Sequence, residues 1–440
     1  MKHASIAVIG GGWAGFTAAV ELAEAGHAVT VFEAARALGG RARVVSVGSH
    51  SLDNGQHILL GAYVETLRQM EKVGVDTRQA FLRLPLQMRY PLADDGMDFI
   101  APRLPAPLHL LAALLRAKGL AREDKLALAR FTTSARWMDW QLHEDCSVIT
   151  LLERFDQTER LYRLMWRPLC IAALNTPPEQ ASAQVFLNVL RDSLGAKRSA
   201  SDMLVPRRNL SALFPVPAAD YVQQRGGTVR SGTAVRSIAR NEQGWALSTA
   251  TQPDQAFDGI VVATSASAAR TLLADTLMDG VPDMQHEPIA TCYLRYAPGT
   301  RLEHAMHALL DDPAQGRWGQ FVFDRGQLDA EQDGLLAVVV STASAAGERN
   351  QGELAKAIAG QLATAFAMPA LASPLWTQVI TEKRATFSCT PNLQRIEERT
   401  SYPDLVLAGD YLAGPYPATI ESAVRSGRRA ASLLIEHFSD

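Results

Sequence analysis

The stretch that most constrains this chain is Gly10-Gly11-Gly12-Trp13-Ala14-Gly15, set between the apolar run Ser5–Ile9 and an Ala/Leu/Glu-rich segment at residues 14–25. The apolar run is compact and partly β-branched, which predicts a strand buried in a parallel sheet. Residues 14–25 carry apolar positions at helical spacing, Gly26 stops that helix, and residues 27–33 form a second strand. In such a strand–turn–helix unit each glycine has a task. Gly10 permits the tight turn off the strand, Gly12 lets the backbone approach a pyrophosphate, and Gly15 lets helix and strand pack closely. The free N–H groups where the helix opens, at Trp13 and Ala14, then face phosphate oxygens. Glu33 ends the second strand, where an acid hydrogen-bonds the ribose of an adenosine. The plainer alternative is an ordinary βα turn beside a solvated Glu33. A second glycine pair, Gly39-Gly40, leads into Arg41 and Arg43. Two arginines there would add fixed charge beside a pyrophosphate, a clamp that a plain NAD fold does not need.

The rest of the chain alternates in character without a linker rich in glycine and proline. Residues 90–204 read as helical, with long stretches at 125–136 and 153–167. Strands are expected at 227–235, 245–248, 259–263, 291–295, 319–323 and 335–341, with a helix at 353–366. The chain closes on the strand Leu405–Leu407 and a helix at 421–438. This interleaving suggests two domains, each built from several segments. With 43 Lys+Arg against 46 Asp+Glu in 440 residues, the net charge of −3 excludes a basic nucleic-acid-binding surface and an acidic tail. Cys146, Cys170, Cys292 and Cys389 lie outside metal-ligand or redox-pair spacing, so no metal site is expected and each reads as a buried small hydrophobe. The glycines cut the N-terminal apolar run too early for an export signal, and no apolar stretch reaches the roughly 18–20 residues that span a bilayer. A cytoplasmic protein is expected.

Taken together, the N-terminal unit, the GGRxR segment, LDNGQH at 52–57, Ala408-Gly409-Asp410 and TIESAVRSG at 419–427 resemble the flavin amine oxidase and phytoene desaturase superfamily. The resemblance implies a mixed α/β fold: a Rossmann-like FAD-binding domain of the amine oxidase type, with an interleaved helical and β-sheet substrate domain. It implies an FAD domain from residues 1–89, 205–285 and 386–440, and a substrate domain from 90–204 and 286–385. Gly409 and Asp410 would sit by the pyrophosphate and ribityl chain. Thr419 and Ile420 would meet the flavin ring, Gln56 and His57 would lie near it, Val235 would meet the adenine, and Thr264 would close the nucleotide site. Residues 411–419 contain no cysteine, so the flavin is expected to be held without a covalent bond.

A narrower resemblance to the hydroxysqualene dehydroxylase family runs through DNGQHILLGAY at 53–63, WRPLCIAALNTPPEQAS at 166–182 and VLRDSL at 189–194. It implies reductive removal of an allylic hydroxyl from a hydrophobic C30 isoprenoid in squalene and hopanoid supply. The electron donor to the flavin is not legible. The same cofactor motifs would serve an oxidative carotenoid desaturase or amine oxidase, or a non-catalytic flavin-containing lipid binder. For the leaving oxygen the candidate acids are His57, whose free pKa is near neutral, then Tyr416 and Asp53; each also reads as a turn or wall residue. Trp137, Trp140 and Trp166 fall on expected helices and read as core. Finally, APRLPAPLHLLAALLRAKGL at 101–120 has an apolar centre of about three helical turns, flanked by Arg103, Arg116, Lys118 and Arg122. That suits a helix in the headgroup layer of the cytoplasmic membrane face, feeding an insoluble substrate to the pocket; the alternative is a buried helix of the substrate domain.

Overall fold

The computed structural model describes residues 3–48, 50–91, 95–242, 244–250, 255–277, 280–344, 346 and 350–439. Its frame is a five-stranded parallel sheet in the spatial order Thr228–Ser231, Ala28–Glu33, Ser5–Ile9, Gly259–Val262, Leu405–Leu407. The start, middle and end of the chain all contribute strands. Side chains alternate across the sheet with period two. Ile6, Val8, Val31, Val261 and Val406 pack under the helices Trp13–Glu24 and Ile420–Ser439. Ile9, Phe32, Ile260 and Val262 pack instead beneath Ile238, Trp245 and Leu247 of an antiparallel ribbon, Val235–Asn241, Gly244–Thr249 and Gln255–Phe257. Both faces are thus apolar, as the near-continuous hydrophobic strands required.

A second five-stranded sheet, antiparallel, runs in the order Met306–Ala308, Phe321–Asp324, Leu335–Val340, His286–Arg295, Trp376–Phe387. One of its faces is closed by the helix Gln351–Ala365. The edge strand Trp376–Phe387 is the longest strand and was not legible, because Glu382, Lys383 and Arg384 break its apolar alternation; charged side chains suit an edge.

Several sequence readings change here. The helix expected at 153–167 ends at Arg154, Asp156 takes φ +48°, and a new turn starts at Thr158, whose hydroxyl accepts from Leu161 N. The strand expected at 227–235 is two strands in different sheets, parted at Gly232 (φ +69°). Trp137 is 90% exposed rather than core, and Trp140 follows the helix Arg122–Trp137 in a turn; both Trp140 and Trp166 are buried. Cys146 is only partly buried, unlike the other three cysteines. The boundaries drawn at 89/90 and 204/205 run through paired chain: Gln87 pairs with Ile100, and Met203–Pro206 is one strand. The two regions are joined by hydrogen-bonded strands rather than by linkers.

Two cavities that share a wall

Around the glycine turn, local sterics decide the backbone. Gly10 sits at φ +116°, and a Cβ there would meet the Ala263 carbonyl at 2.4 Å. A Cβ on Gly15 would lie 1.9 Å from the Gly10 carbonyl, which is why helix and strand can close only on glycine. At Gly12 a Cβ would meet nothing nearer than 3.8 Å, so the backbone lies open to the adjoining space. That space is a cavity of about 430 Å³ lined by Gly10, Gly12, Trp13, Ala14, Glu33, Gly40, Arg41, His57, Val235, Thr264, Gly409, Asp410, Thr419 and Ile420. Segments more than 300 residues apart in sequence thereby converge on one wall.

Hydrogen bonds fix that wall. The Glu33 carboxylate accepts from Gly11 N at 2.6 Å and Ala35 N at 2.7 Å, tying the second strand to the glycine turn. Trp13 Nε1 donates to the Ala42 carbonyl, and Gly39 N to the Gly11 carbonyl, so the two glycine pairs are stitched together. Arg41 donates to Asp410 at 2.5 Å and to the Ala385 carbonyl at 2.8 Å. The two charges assigned to the pyrophosphate region therefore neutralise each other in part. Thr419 Oγ1 accepts from Ser422 N and caps the closing helix, whose first N–H groups open onto the cavity.

Gly15 and Gln56 stand apart from this lining. Gly15 acts through packing, as above. Gln56 turns away, donating to the Tyr293 hydroxyl and accepting from Arg325. Asp53 is also off both cavities described here: its carboxylate accepts from Leu210 N at 2.8 Å. Burial pushes Asp53 up to about 6, against the pull of that N–H and of Arg325. It sits at the start of the helix Leu210–Leu213, away from both cavity linings. His57 reaches this first cavity, but Nδ1 lies 3.1 Å from the Gly55 carbonyl, so the neutral ring carries its hydrogen there and leaves Nε2 as an acceptor. Burial, helped by Arg41, lowers its pKa despite the Gly55 carbonyl.

A second cavity, of about 420 Å³, abuts the first. Its lining is overwhelmingly apolar: Ile58, Leu60, Phe99, Leu110, Leu114, Phe131, Trp140, Trp166, Phe186, Leu190 and Phe321 among others. Thr419 lines both cavities; Tyr416 and Pro417 face the apolar one, and Ala418 and Ile420 the other. On the opposite side His57 faces one and Ile58 the other. Tyr416, pushed up to about 12 by burial and by its hydrogen bond to Asp192, keeps its proton at neutral pH. Sequence reasoning missed Asp192, Thr233, Ala234 and Ala385, since no local motif marks a residue that folding delivers from another segment. Among the described residues no group of His, Cys, Asp and Glu could hold a metal ion.

Residues 13–435 match the family described as flavin containing amine oxidoreductase. The chain belongs to that family. It is accordingly an FAD-dependent oxidoreductase, and the open backbone at Gly12 and the two helix starts fit a dinucleotide. The chain is 28% identical to the hydroxysqualene dehydroxylase of Zymomonas mobilis, covering 98% of this chain and 99% of that one. It is 29% identical to the hydroxysqualene dehydroxylase of Sinorhizobium fredii, covering 98% of each. A probable zeta-carotene desaturase of Synechococcus elongatus is 25% identical, again over 98% of each. Among solved structures, the cyclohexylamine oxidase of Brevibacterium oxydans superposes with a TM-score of 0.70 over the whole of both chains at 17% identity, a likeness of fold.

Proposed function

We propose that this flavoenzyme reductively removes the hydroxyl of hydroxysqualene to give squalene, as part of hopanoid supply. The observation that carries the reading is the apolar cavity sharing the Tyr416–Ile420 wall with the cofactor-side cavity. The full-length likeness to dehydroxylases supports it. Reduced flavin supplies a hydride; with one proton from water, the alcohol becomes a hydrocarbon and the oxygen leaves as water. The chain's own part is to hold the isoprenoid in a dry space and present its carbinol carbon at the shared wall. Gly10, Gly12, Trp13, Ala14 and Gly40 would hold the pyrophosphate, Glu33 and Val235 the adenosine, with Thr264 closing that end. Gly409, Asp410, Thr419 and Ile420 would hold the ribityl–flavin end. Of the three residues named for the leaving oxygen, Tyr416 is the one proposed to meet the hydroxyl, as a hydrogen-bond partner rather than as the source of the proton. The test is anaerobic mixing of the reduced protein with hydroxysqualene. Squalene should appear in step with flavin reoxidation. New double bonds made by the oxidised protein from a carotene precursor would favour the desaturase reading instead, which the zeta-carotene desaturase likeness supports.

We also propose that the protein docks on a membrane surface. Residues 101–120 contain one helix, Leu108–Arg116. Leu108 (53% exposed), Leu111 (52%) and Leu115 (67%) stand in solvent, with exposed Arg103, Arg116, Lys118 and Arg122 around them. Leu114 belongs to the core, so it is not part of that face. Leu108, Leu110 and Leu111 also line the apolar cavity, so lipid could deliver substrate there. Among the described residues no helix is long and apolar enough to cross a membrane. The triple change Leu108→Glu, Leu111→Glu, Leu115→Glu should lower flotation with anionic liposomes by roughly tenfold or more, while flavin content stays constant. Undiminished flotation would place the contact elsewhere.

A further inference from the structure

Polar groups in the apolar cavity are mostly committed to their own helices. Thr132 and Thr133 donate to the carbonyls of Leu128 and Ala129, Ser193 to that of Val189, and Ser201 to that of Arg198. The Glu421 carboxylate accepts from Thr66 N, Thr66 Oγ1 and Arg425 Nε. Tyr416 and Asp192 are arranged differently. The Tyr416 hydroxyl donates to Asp192 Oδ2, across 224 residues of sequence, and both residues line the cavity. Arg191 Nε donates to the other carboxylate oxygen at 2.8 Å, and the Arg425 guanidinium stands 4.8 Å from the Tyr416 ring centroid. Asp192 lies in a π-helical stretch, Arg191–Gly195, that continues the helix Ala183–Leu190. Such a stretch shifts the facing of side chains within a continuous helix.

The direction of this hydrogen bond matters. A phenol has one hydrogen, and here a carboxylate, which can only accept when ionised, takes it. The phenol oxygen keeps its lone pairs for the cavity. We propose that Asp192 and Tyr416 form a hydroxyl-reading subsite, in which Asp192 is the positioning residue and the Tyr416 oxygen accepts a hydrogen bond from an alcohol on the isoprenoid. This rests on the reading of the cavity as the isoprenoid site, and it narrows the substrate class to alcohols over hydrocarbons. A hydrocarbon would bury the phenol oxygen with nothing to accept from, and sites built around a hydroxyl reject analogues that lack it.

The test uses oxidised holoenzyme, which has no hydride to give, so binding is read without turnover from the flavin absorbance. Three probes are compared: hydroxysqualene, its methyl ether, and squalene. The unaltered protein should prefer the alcohol over both others by roughly tenfold to a hundredfold. Tyr416→Phe should bring all three within about threefold, chiefly by weakening the alcohol. Asp192→Leu frees the phenolic hydrogen to point inward. The ether, which can only accept, should then bind at least as well as the alcohol. A merely structural Asp192 would weaken all three probes together and leave their ratios unchanged. Equal affinities in the unaltered protein, or ratios unmoved by both changes, would overturn the proposal. Failure of the reduced protein to make squalene, with the ratios behaving as expected, would overturn the assigned reaction and leave the subsite standing.

Discussion

Gly427→Ala is expected to lower flavin content and thermal stability together, although helix propensity alone argues the opposite. Gly427 lies inside the closing helix Ile420–Ser439, where alanine is about 1 kcal/mol better than glycine. Yet a Cβ at this position would lie 2.2 Å from the Ala14 carbonyl and 3.1 Å from Thr17 Cβ. Backbone cannot yield as a side-chain tip can, so the two helices must part, at a cost of about 1–3 kcal/mol typical of overpacking. The displacement is felt at the site because both helices open onto the same cavity, through Trp13 and Ala14 on one and Ile420 on the other. Ser426, one residue away, also accepts from Gly409 N. Flavin retained through purification should fall at least severalfold, and the melting temperature should drop. Gly360→Ala is the control: it stands in the helix Gln351–Ala365 with nothing within 4 Å of the added carbon, so stability should hold or rise and flavin should be unchanged. A Gly427→Ala protein with full flavin and a raised melting temperature would show that the helices tolerate separation.

That crossing also marks how far the sequence could be read. The glycine turn, the first helix and the two flanking strands were legible because each is specified within about thirty residues, by apolar run, glycine spacing and a terminal acid. The strands Gly259–Val262 and Leu405–Leu407 were legible as apolar runs, but only folding sets Ile260 beside Leu405. Elements failed where tertiary contacts override local pattern. Asp156 breaks a stretch that reads as helix, and Trp376–Phe387 pairs as an edge strand despite its charges. At the site, most residues named from the glycine and C-terminal motifs line one cavity, whereas some neighbouring side chains point elsewhere. Gln56 and Asp53 follow the glycine segment closely in sequence, yet their side chains turn toward Arg325, Tyr293 and Leu210. His57, two residues from a carbonyl that takes its Nδ1 hydrogen, faces the cavity as a neutral acceptor. The direction of a side chain depends on partners that arrive from elsewhere, and Asp192 is the clearest case.

Arg41 and Asp410 supply the second large effect, because their charges balance inside the cofactor-side cavity. Asp410 has a side chain only 9% exposed and is paired at 2.5 Å with Arg41, which is 37% exposed. With the diphosphate placed as proposed, Arg41→Ala would leave the carboxylate alone beside it. The bound diphosphate would then face an uncompensated carboxylate, and the repulsion should weaken flavin affinity by roughly tenfold to a hundredfold, about 1.4–2.8 kcal/mol. Asp410→Asn acts in the opposite sense on charge, since it releases Arg41 toward the phosphates while the amide keeps a polar group at the ribityl end, so affinity should fall far less than in Arg41→Ala. The double change Arg41→Ala, Asp410→Asn then separates two causes. If the unpaired carboxylate is what expels the flavin, the double variant should recover most of the loss, and the loss in Arg41→Ala should shrink as added salt screens the repulsion. If the guanidinium's own contact with phosphate dominates, the double variant should bind as poorly as Arg41→Ala, and added salt should weaken the unaltered protein instead. Flavin dissociation constants of the four reconstituted apoproteins, each taken at low and high salt, decide between the two. The paired geometry, with Arg41 already donating to both Asp410 and the Ala385 carbonyl, favours recovery in the double variant.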